Sequence, residues 1–377
     1  MQRAGRLAVD FARRPRELRY KYGAIPLAIF SVTDAFMPHL PGPEPGPSID
    51  ERRIAPLRGS EAVAVGKRLM RKHPDFAAGY ELAARGYEDL GRPRAALRLL
   101  ERAVARHGDN WRLLESLAIR CSDAGRYDQA LATLDRALAL AADAASLHYN
   151  RALVFVRMDR AGAALAEAWL ALRHDPDLTN ASLLAAALEC AVGQLDVARE
   201  RLEQTLEKLL AADPDARDGA ALSDACRALA EIELAHHRRD EALELFRRAL
   251  AFERRNAAAL YWVRELTGAR SPDACYYRLV VCGRWPAGRT PPVQRPVVCR
   301  GPACPPEPPV AIARPGAGDP FTTLYDVVAE APEEAMTFVR ALEPPDVADA
   351  LVLDSAKVMK RFVQDPKGIY RVWPYRF

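Results

Sequence analysis

Apolar residues recur at i, i+3, i+4 and i+7 between about residue 60 and residue 268, and short polar segments separate these stretches. This spacing places apolar side chains on one face of a helix, so it predicts helices arranged in pairs. A lone helix is predicted ahead of the pairs at Glu61–Lys72, and a closing helix after them at Ala257–Gly268. Because one helix pair cannot bury its apolar face alone, neighbouring pairs are expected to stack.

The pattern returns every 34 residues in the registers Ala77–Asn110, Trp111–Ala144 and Ala145–Leu178, and with local departures in Thr179–Leu210 and Ser223–Asn256. Four registers carry alanine at positions 8, 20 and 27: Ala84, Ala96 and Ala103; Ala118, Ala130 and Ala137; Ala152, Ala164 and Ala171; Ala230, Ala242 and Ala249. Small side chains at these positions let two helices approach closely. Glycine is frequent near position 15, where its tolerance of positive φ suits the turn between the helices. An insertion around Ala211–Leu222 interrupts the series.

Paired helices with this period and these alanines resemble the tetratricopeptide repeat (TPR) family. The resemblance covers about residues 60–268, and it implies a helical-hairpin solenoid of about five repeats. It also implies a non-enzymatic scaffold or adaptor without a cofactor, in which the first helices line a concave groove. We recognise no family for residues 1–48 or 269–377.

By this resemblance, a peptide or helix of a partner protein binds in the groove. The expected groove residues are Arg85, Arg112, Glu115, Tyr149, Asn150, Leu153, Arg157, Asn180, Leu183 and Leu184. They run from charged to apolar along the chain, which suits a segment with a polar end and an apolar anchor. The alternative is that Leu183 and Leu184 pack against the next repeat.

The composition changes after Gly268. Strands are predicted at Tyr276–Cys282, Phe321–Ala329, Ala350–Leu353 and Ile369–Trp373, with a helix at Pro332–Glu343, so a small α+β domain is expected. The chain is thus predicted to be mainly α, in four regions: a basic and apolar arm with a proline-rich end at 1–48, the solenoid at 49–268, a strand and a Pro/Cys-rich linker or loop at 269–320, and the α+β domain at 321–377. A different hypothesis assigns a catalytic or ligand-binding activity to this domain, with the repeats recruiting its target.

The net charge of +4 indicates no strongly charged partner for the chain as a whole. Residues 1–30, however, carry seven basic and two acidic residues. The basic stretch ends at Lys21, and the mostly apolar run Gly23–Val32 after it has ten residues, too few to span a bilayer. Three interpretations stay open for this arm: a docking or mobile segment, a weak contact with an anionic membrane surface, or a cleaved signal.

The sequence contains no phosphate-binding, dinucleotide-binding, zinc-protease or serine-hydrolase motif, so no catalytic residue is predicted. Cys299 and Cys304 are weak candidates for metal ligands, and no metal is expected. The repeats lack a basic face with aromatic residues, so no nucleic-acid partner is expected. Seven cysteines without regular pairing favour a reducing compartment, here the cytoplasm, and the abundance of Ala, Arg and Leu suggests a bacterial source.

Overall fold

The computed structural model describes residues 57–74, 76–213, 217–286, 318–373 and 375. These residues form fourteen helices and four strands, in two compact units. The first unit ends at Arg201 and the second begins at Leu202, inside the helix α9 (Leu195–Ala211). The predicted mainly α fold, a TPR-like helical solenoid with a small α+β part after it, is confirmed.

The first unit consists of helical hairpins that follow one another along the chain. Its helices ahead of α9 are α1 (Gly59–Lys72), α2 (Ala77–Asp89), α3 (Pro93–Arg106), α4 (Trp111–Asp123), α5 (Tyr127–Leu140), α6 (Ala145–Arg157), α7 (Ala161–His174) and α8 (Thr179–Ala191). Within each hairpin α2 packs on α3, α4 on α5 and α6 on α7, and the first helix α4 also contacts the first helices α2 and α6. The predicted lone helix is α1, and it begins two residues earlier than expected.

The alanines that set the register lie inside the stack. At positions 8, 20 and 27 of the four registers that carry them, every alanine is 3 % exposed or less. Bulkier buried residues such as Tyr80, Leu100, Leu114 and Leu134 fill the space between the helices. The close approach of the helices therefore rests on small side chains.

The turn after each first helix has the same backbone geometry. Position 15 has a positive φ in all five repeats: 68° at Gly91, 75° at Gly125, 60° at Asp159, 85° at Gly193 and 62° at His237. In each turn the following N–H donates to the carbonyl five residues earlier, which closes the helix end as a Schellman motif. Three of these turns use the glycine that the sequence predicts, and two hold a residue with a side chain in the same conformation.

The second unit continues with α10 (Gly219–Ala235), α11 (Arg239–Phe252) and α12 (Ala257–Thr267). The expected insertion at 211–222 is shorter in the structure, because α9 and α10 each extend to 17 residues. The Asp218 side chain accepts hydrogen bonds from the N–H groups of Ala220 and Ala221, so it caps α10 and starts it four residues before the repeat register.

The α+β part of this unit is a four-stranded antiparallel sheet in the order β3-β1-β2-β4. Its elements are β1 (Cys275–Arg284), β2 (Pro320–Ala329), α13 (Pro332–Leu342), the short α14 (Pro345–Ala348), β3 (Val352–Lys360) and β4 (Gly368–Val372). Helix α13 packs on β2, β4 and β1. The strand expected at Ala350–Leu353 is instead β3, an edge strand that continues to Lys360; its mostly exposed residues give no alternating apolar pattern.

A buried polar cluster joins the loop after α11 to the sheet. The Arg254 guanidinium donates to the Tyr325 hydroxyl at 3.0 Å and pairs with the fully buried carboxylate of Glu343. Tyr325 and Tyr375 both donate to Glu343 at 2.5 Å, and the Tyr375 ring lies 3.6 Å from the guanidinium. The buried cation and carboxylate thus have charged and hydroxyl partners, as burial requires.

Candidate functional site

Helices α2, α4, α6 and α8 carry all ten predicted groove residues, and the structure places most of them in the interior. Tyr149, Leu153, Leu183 and Leu184 are 0–5 % exposed. They belong to the packed core, so the apolar anchor site expected at this end of the groove is not accessible. These four side chains are buried because their positions on a first helix face neighbouring helices of the stack as well as the groove.

The polar members of the predicted set differ in how far they are buried. Glu115, Asn150 and Arg112 are also buried, whereas Arg85, Arg157 and Asn180 are half-buried. The guanidinium of Arg112 lies over the Trp111 ring, 5.3 Å from its centroid. The accessible members of the predicted set are therefore polar, and they lie on α2, α6 and α8.

Hydrogen bonds with a separation of 35 residues connect successive first helices. Ser116 Oγ donates to Glu81 Oε1 at 3.0 Å, and Asn150 Nδ2 donates to Glu115 Oε1 at 2.7 Å. Each bond joins position 5 of one repeat to position 6 of the next. The next equivalent pair is Tyr149 and Leu184, so the polar series ends where the first helices become apolar.

A second connection lies nearer the ends of the same helices, and we call it the ion-pair row: Glu88, Arg120, Asp123 and Arg157. Arg120 Nη1 lies 2.6 Å from Glu88 and 3.2 Å from Asp123, and Arg157 Nη1 lies 2.8 Å from Asp123. Arg157 also donates to Ser122 Oγ at 2.7 Å. The side chains of the row retain 11–26 % exposure, so a row of alternating charge crosses α2, α4 and α6 and stays in contact with solvent.

Burial alters the protonation equilibria on this face. It raises the pKa of Glu88, although the nearby Arg120 opposes this effect. It lowers the pKa of Arg85, and the positive charge of Arg58 adds to the lowering. Burial alone raises the pKa of Tyr149 far above its usual value, which keeps this hydroxyl neutral. The face therefore combines ionised pairs with a neutral phenol in the core.

Arg120 of the row and the buried Ser122, which accepts from Arg157, were not among the predicted residues. Arg120 pairs with a residue 32 positions earlier rather than 34 or 35, so strict repeat positions do not bring the two together. Opposite charge on consecutive first helices is the only sequence signal that indicates this pair.

Several predictions lie outside the described residues, namely the 1–48 arm and the candidate ligands Cys299 and Cys304. Within the described ranges, no cluster of three or more His, Cys, Asp or Glu side chains is arranged to hold a metal ion. In the same ranges, no helix combines the length and apolar character needed to cross a membrane.

Comparison with known proteins supports the repeat assignment. Residues 121–159 match the family model described as TPR repeat, so the predicted tetratricopeptide repeats are confirmed. The matched range begins at the end of α4 and contains α5 and α6. A search of curated proteins found no match.

Solved structures with similar folds include YrrB, described as a TPR protein with an unusual peptide-binding site, at 18 % identity and a TM-score of 0.38; the match covers 53 % of this chain and 97 % of that one. The thermophilic TPR protein TTC0263 from Thermus thermophilus matches at 22 % identity and a TM-score of 0.40, covering 51 % and 98 %. The Cut9–Hcn1 complex of the APC/C matches at 11 % identity and 0.47, covering 55 % and 39 %.

Proposed function

We propose that this chain, which carries tetratricopeptide repeats, is a non-enzymatic protein-interaction scaffold that binds an extended or helical segment of a partner protein on α2, α4 and α6. The observation that carries the proposal is the ion-pair row, because it presents charged groups from three repeats on one face.

Fixed side chains favour binding, since a surface that is already ordered loses less conformational entropy when a partner arrives. Arg120 lies between two carboxylates, and Arg157 is held by Asp123 and Ser122. Below them, the buried bond between Glu115 and Asn150 fixes the spacing of α4 and α6. The face is therefore suited to a partner segment of mixed charge, with register set by alternating charges.

The buried positions change the kind of partner that we propose. Leu153, Leu183 and Leu184 are core residues, so they stabilise the stack and do not act as an apolar anchor site. Recognition rests on the polar residues of α2, α4 and α6. We further propose a cytoplasmic location; the weak membrane contact of residues 1–48 and the absence of a nucleic-acid partner stay predictions.

Charge reversal tests the proposal. Full-length chain carrying Arg120→Glu and Arg157→Glu is compared with wild type in affinity capture followed by quantitative mass spectrometry. We expect the specifically captured proteins to be lost, because like charges then face each other along the row and toward the partner. The matched control is Arg98→Glu, an exposed arginine on the second helix α3.

Circular dichroism and a denaturation midpoint are measured on every variant, so that loss of capture is separated from loss of fold. A milder variant, Arg157→Lys, keeps the charge and is expected to retain most of the capture. The proposal fails if the reversed variant folds and captures the same proteins, or if Arg98→Glu loses them to the same extent.

A further inference from the structure

The second unit contains a cleft between α12 and α13, above β4. Its volume is about 980 Å³, at the upper end of the range of small-molecule sites. The walls are mainly apolar: Leu250, Leu260 and Val263 on the side of α11 and α12, Phe338 and Leu342 on α13, and Ile369 on β4. Val263, Phe338 and Leu342 are only half-buried, so apolar surface in the cleft stays open to solvent.

The charged residues of the cleft are mostly positive. Its lining includes four cations and two carboxylates: Arg247, Arg254, Arg264 and Lys367, with Glu334 and Glu343. Arg254 pairs with Glu343, and Lys367 Nζ lies 2.9 Å from Glu334. Among the described residues, Arg247 and Arg264 form no ion pair, so no carboxylate of the lining pairs directly with either guanidinium.

Arg264 on α12 is the more unusual of the two. It is 8 % exposed, yet the groups in contact with its guanidinium are neutral: it donates to the Ile369 carbonyl oxygen at 2.5 Å and lies 3.8 Å from the centre of the Tyr370 ring. Burial lowers the pKa of Arg264, because the charged form loses water. Buried charges in proteins normally have a partner of opposite charge. An anion in the cleft would provide that partner.

We propose that this cleft binds a small organic anion with an apolar body, of the class of medium-chain aliphatic carboxylates. The hydrocarbon lies between Val263 and the apolar residues of α13, and the acid group is compensated by Arg264 and by the exposed Arg247. This site is separate from the ion-pair row of the first unit, so it adds ligand binding to the proposed scaffold function.

Calorimetric titration of the full-length chain with decanoate tests the proposal. We expect saturable binding at one molecule per chain, and no comparable binding of acetate, which lacks the apolar body, or of decyltrimethylammonium, which reverses the charge. Replacing Arg264 with methionine removes the charge at similar length and is expected to weaken binding by about 10- to 100-fold, the usual effect of losing a bond to a charged group.

Because Arg264 also supports the fold, two milder variants accompany it. Arg247→Met alters an exposed residue and is expected to weaken binding, whereas Arg248→Met, on the neighbouring exposed arginine outside the lining, is not. Val263→Phe fills the cleft and is expected to reduce binding at least about tenfold by steric exclusion; Val352→Phe, on the exposed strand β3, is its matched control.

The proposal is overturned if decanoate shows no saturable binding to the wild-type chain. It is also overturned if decyltrimethylammonium binds equally well, because the apolar walls alone then account for binding. Unchanged binding by a folded Val263→Phe variant would place the ligand elsewhere and reject the cleft. None of these outcomes affects partner capture through the ion-pair row.

Discussion

Asn150 donates a hydrogen bond of 2.7 Å from its side-chain amide to the carboxylate of Glu115, 35 residues earlier on the preceding first helix. Both side chains are almost completely buried, so the bond replaces water at the boundary between two repeats. Since α4 and α6 carry three members of the ion-pair row, this buried bond helps to fix the spacing of the charges on the proposed binding face.

Replacing Asn150 with alanine is expected to lower the free energy of unfolding by about 1.5–3 kcal/mol, because a buried carboxylate loses a hydrogen-bond donor. Chemical denaturation measures the change. Ser146→Ala, on the half-buried surface of the same helix, is the control and is expected to stay within about 0.5 kcal/mol of wild type. An unchanged stability of Asn150→Ala would mean that the bond does not hold the repeats together.

Substitutions at position 15 of two turns are expected to change the free energy of unfolding in opposite directions. His237 has a φ of 62° and is exposed, so His237→Gly is expected to raise the free energy of unfolding by about 1 kcal/mol, since glycine adopts this conformation without strain. Gly125→Ala, at the equivalent turn with a φ of 75°, is expected to lower it by a similar amount. Denaturation midpoints test both; the same sign for the two variants would contradict the shared turn geometry.

The contact between α1 and α2 depends on glycine. A Cβ atom at Gly86 would lie 2.6 Å from the Gly59 carbonyl oxygen and 2.8 Å from the Val63 nitrogen. Gly86→Ala is therefore expected to destabilise the chain by about 1–3 kcal/mol through overpacking. Gly162→Ala on α7 is the control: nothing lies within 4 Å of its added Cβ, and stability is expected to be unchanged or raised by up to about 1 kcal/mol. An equal change in stability for Gly86→Ala and Gly162→Ala would show that α1 can shift away from α2 without a loss of stability.

The buried cluster at Arg254 predicts that replacing Glu343 alone destabilises the chain more than replacing Glu343 and Arg254 together. Glu343→Leu leaves the buried Arg254 without its carboxylate, so a loss of about 3–5 kcal/mol is expected. Adding Arg254→Met removes the stranded charge and is expected to recover part of that loss. Thermal or urea unfolding of both variants provides the comparison, and additive losses in the double variant would argue against direct coupling.

Tyr276 is expected to make the free energy of unfolding decrease with rising pH in the alkaline range. Burial, with a contribution from Asp326, raises its pKa to about 12 from an ordinary value near 10. Tyr276 thus loses its proton less readily in the folded state than in the unfolded state. The contribution of Tyr276 to the free energy of unfolding is therefore complete below about pH 10 and is lost as the pH rises to about 12. Tyr276→Phe should show a smaller decrease in unfolding free energy over this interval than wild type. An identical pH profile would assign the alkaline loss to other groups.

The repeat register could be read from the sequence because it depends on local and periodic properties. Alanine at positions 8, 20 and 27 limits the distance between paired helices, and glycine at Gly91, Gly125 and Gly193 satisfies a backbone requirement of the turn. The strand β1 and the helix α13 also follow from their own apolar patterns and, for α13, from Pro332 at its first turn. In each case one element carries enough information to predict its own structure.

Tertiary packing decided the accessibility of the first-helix face and the shape of the cleft. Leu153 and Leu183 occupy positions expected to face the groove, but contact with neighbouring helices buries them, whereas the pairing of Glu88 with Arg120 keeps charge on the surface. The burial of Arg264 without an ion pair depends on the contact of α12 with β4, which lies more than 100 residues later in the chain. Burial and charge compensation depend on every element that packs around a residue, so the periodic pattern of one helix does not determine them.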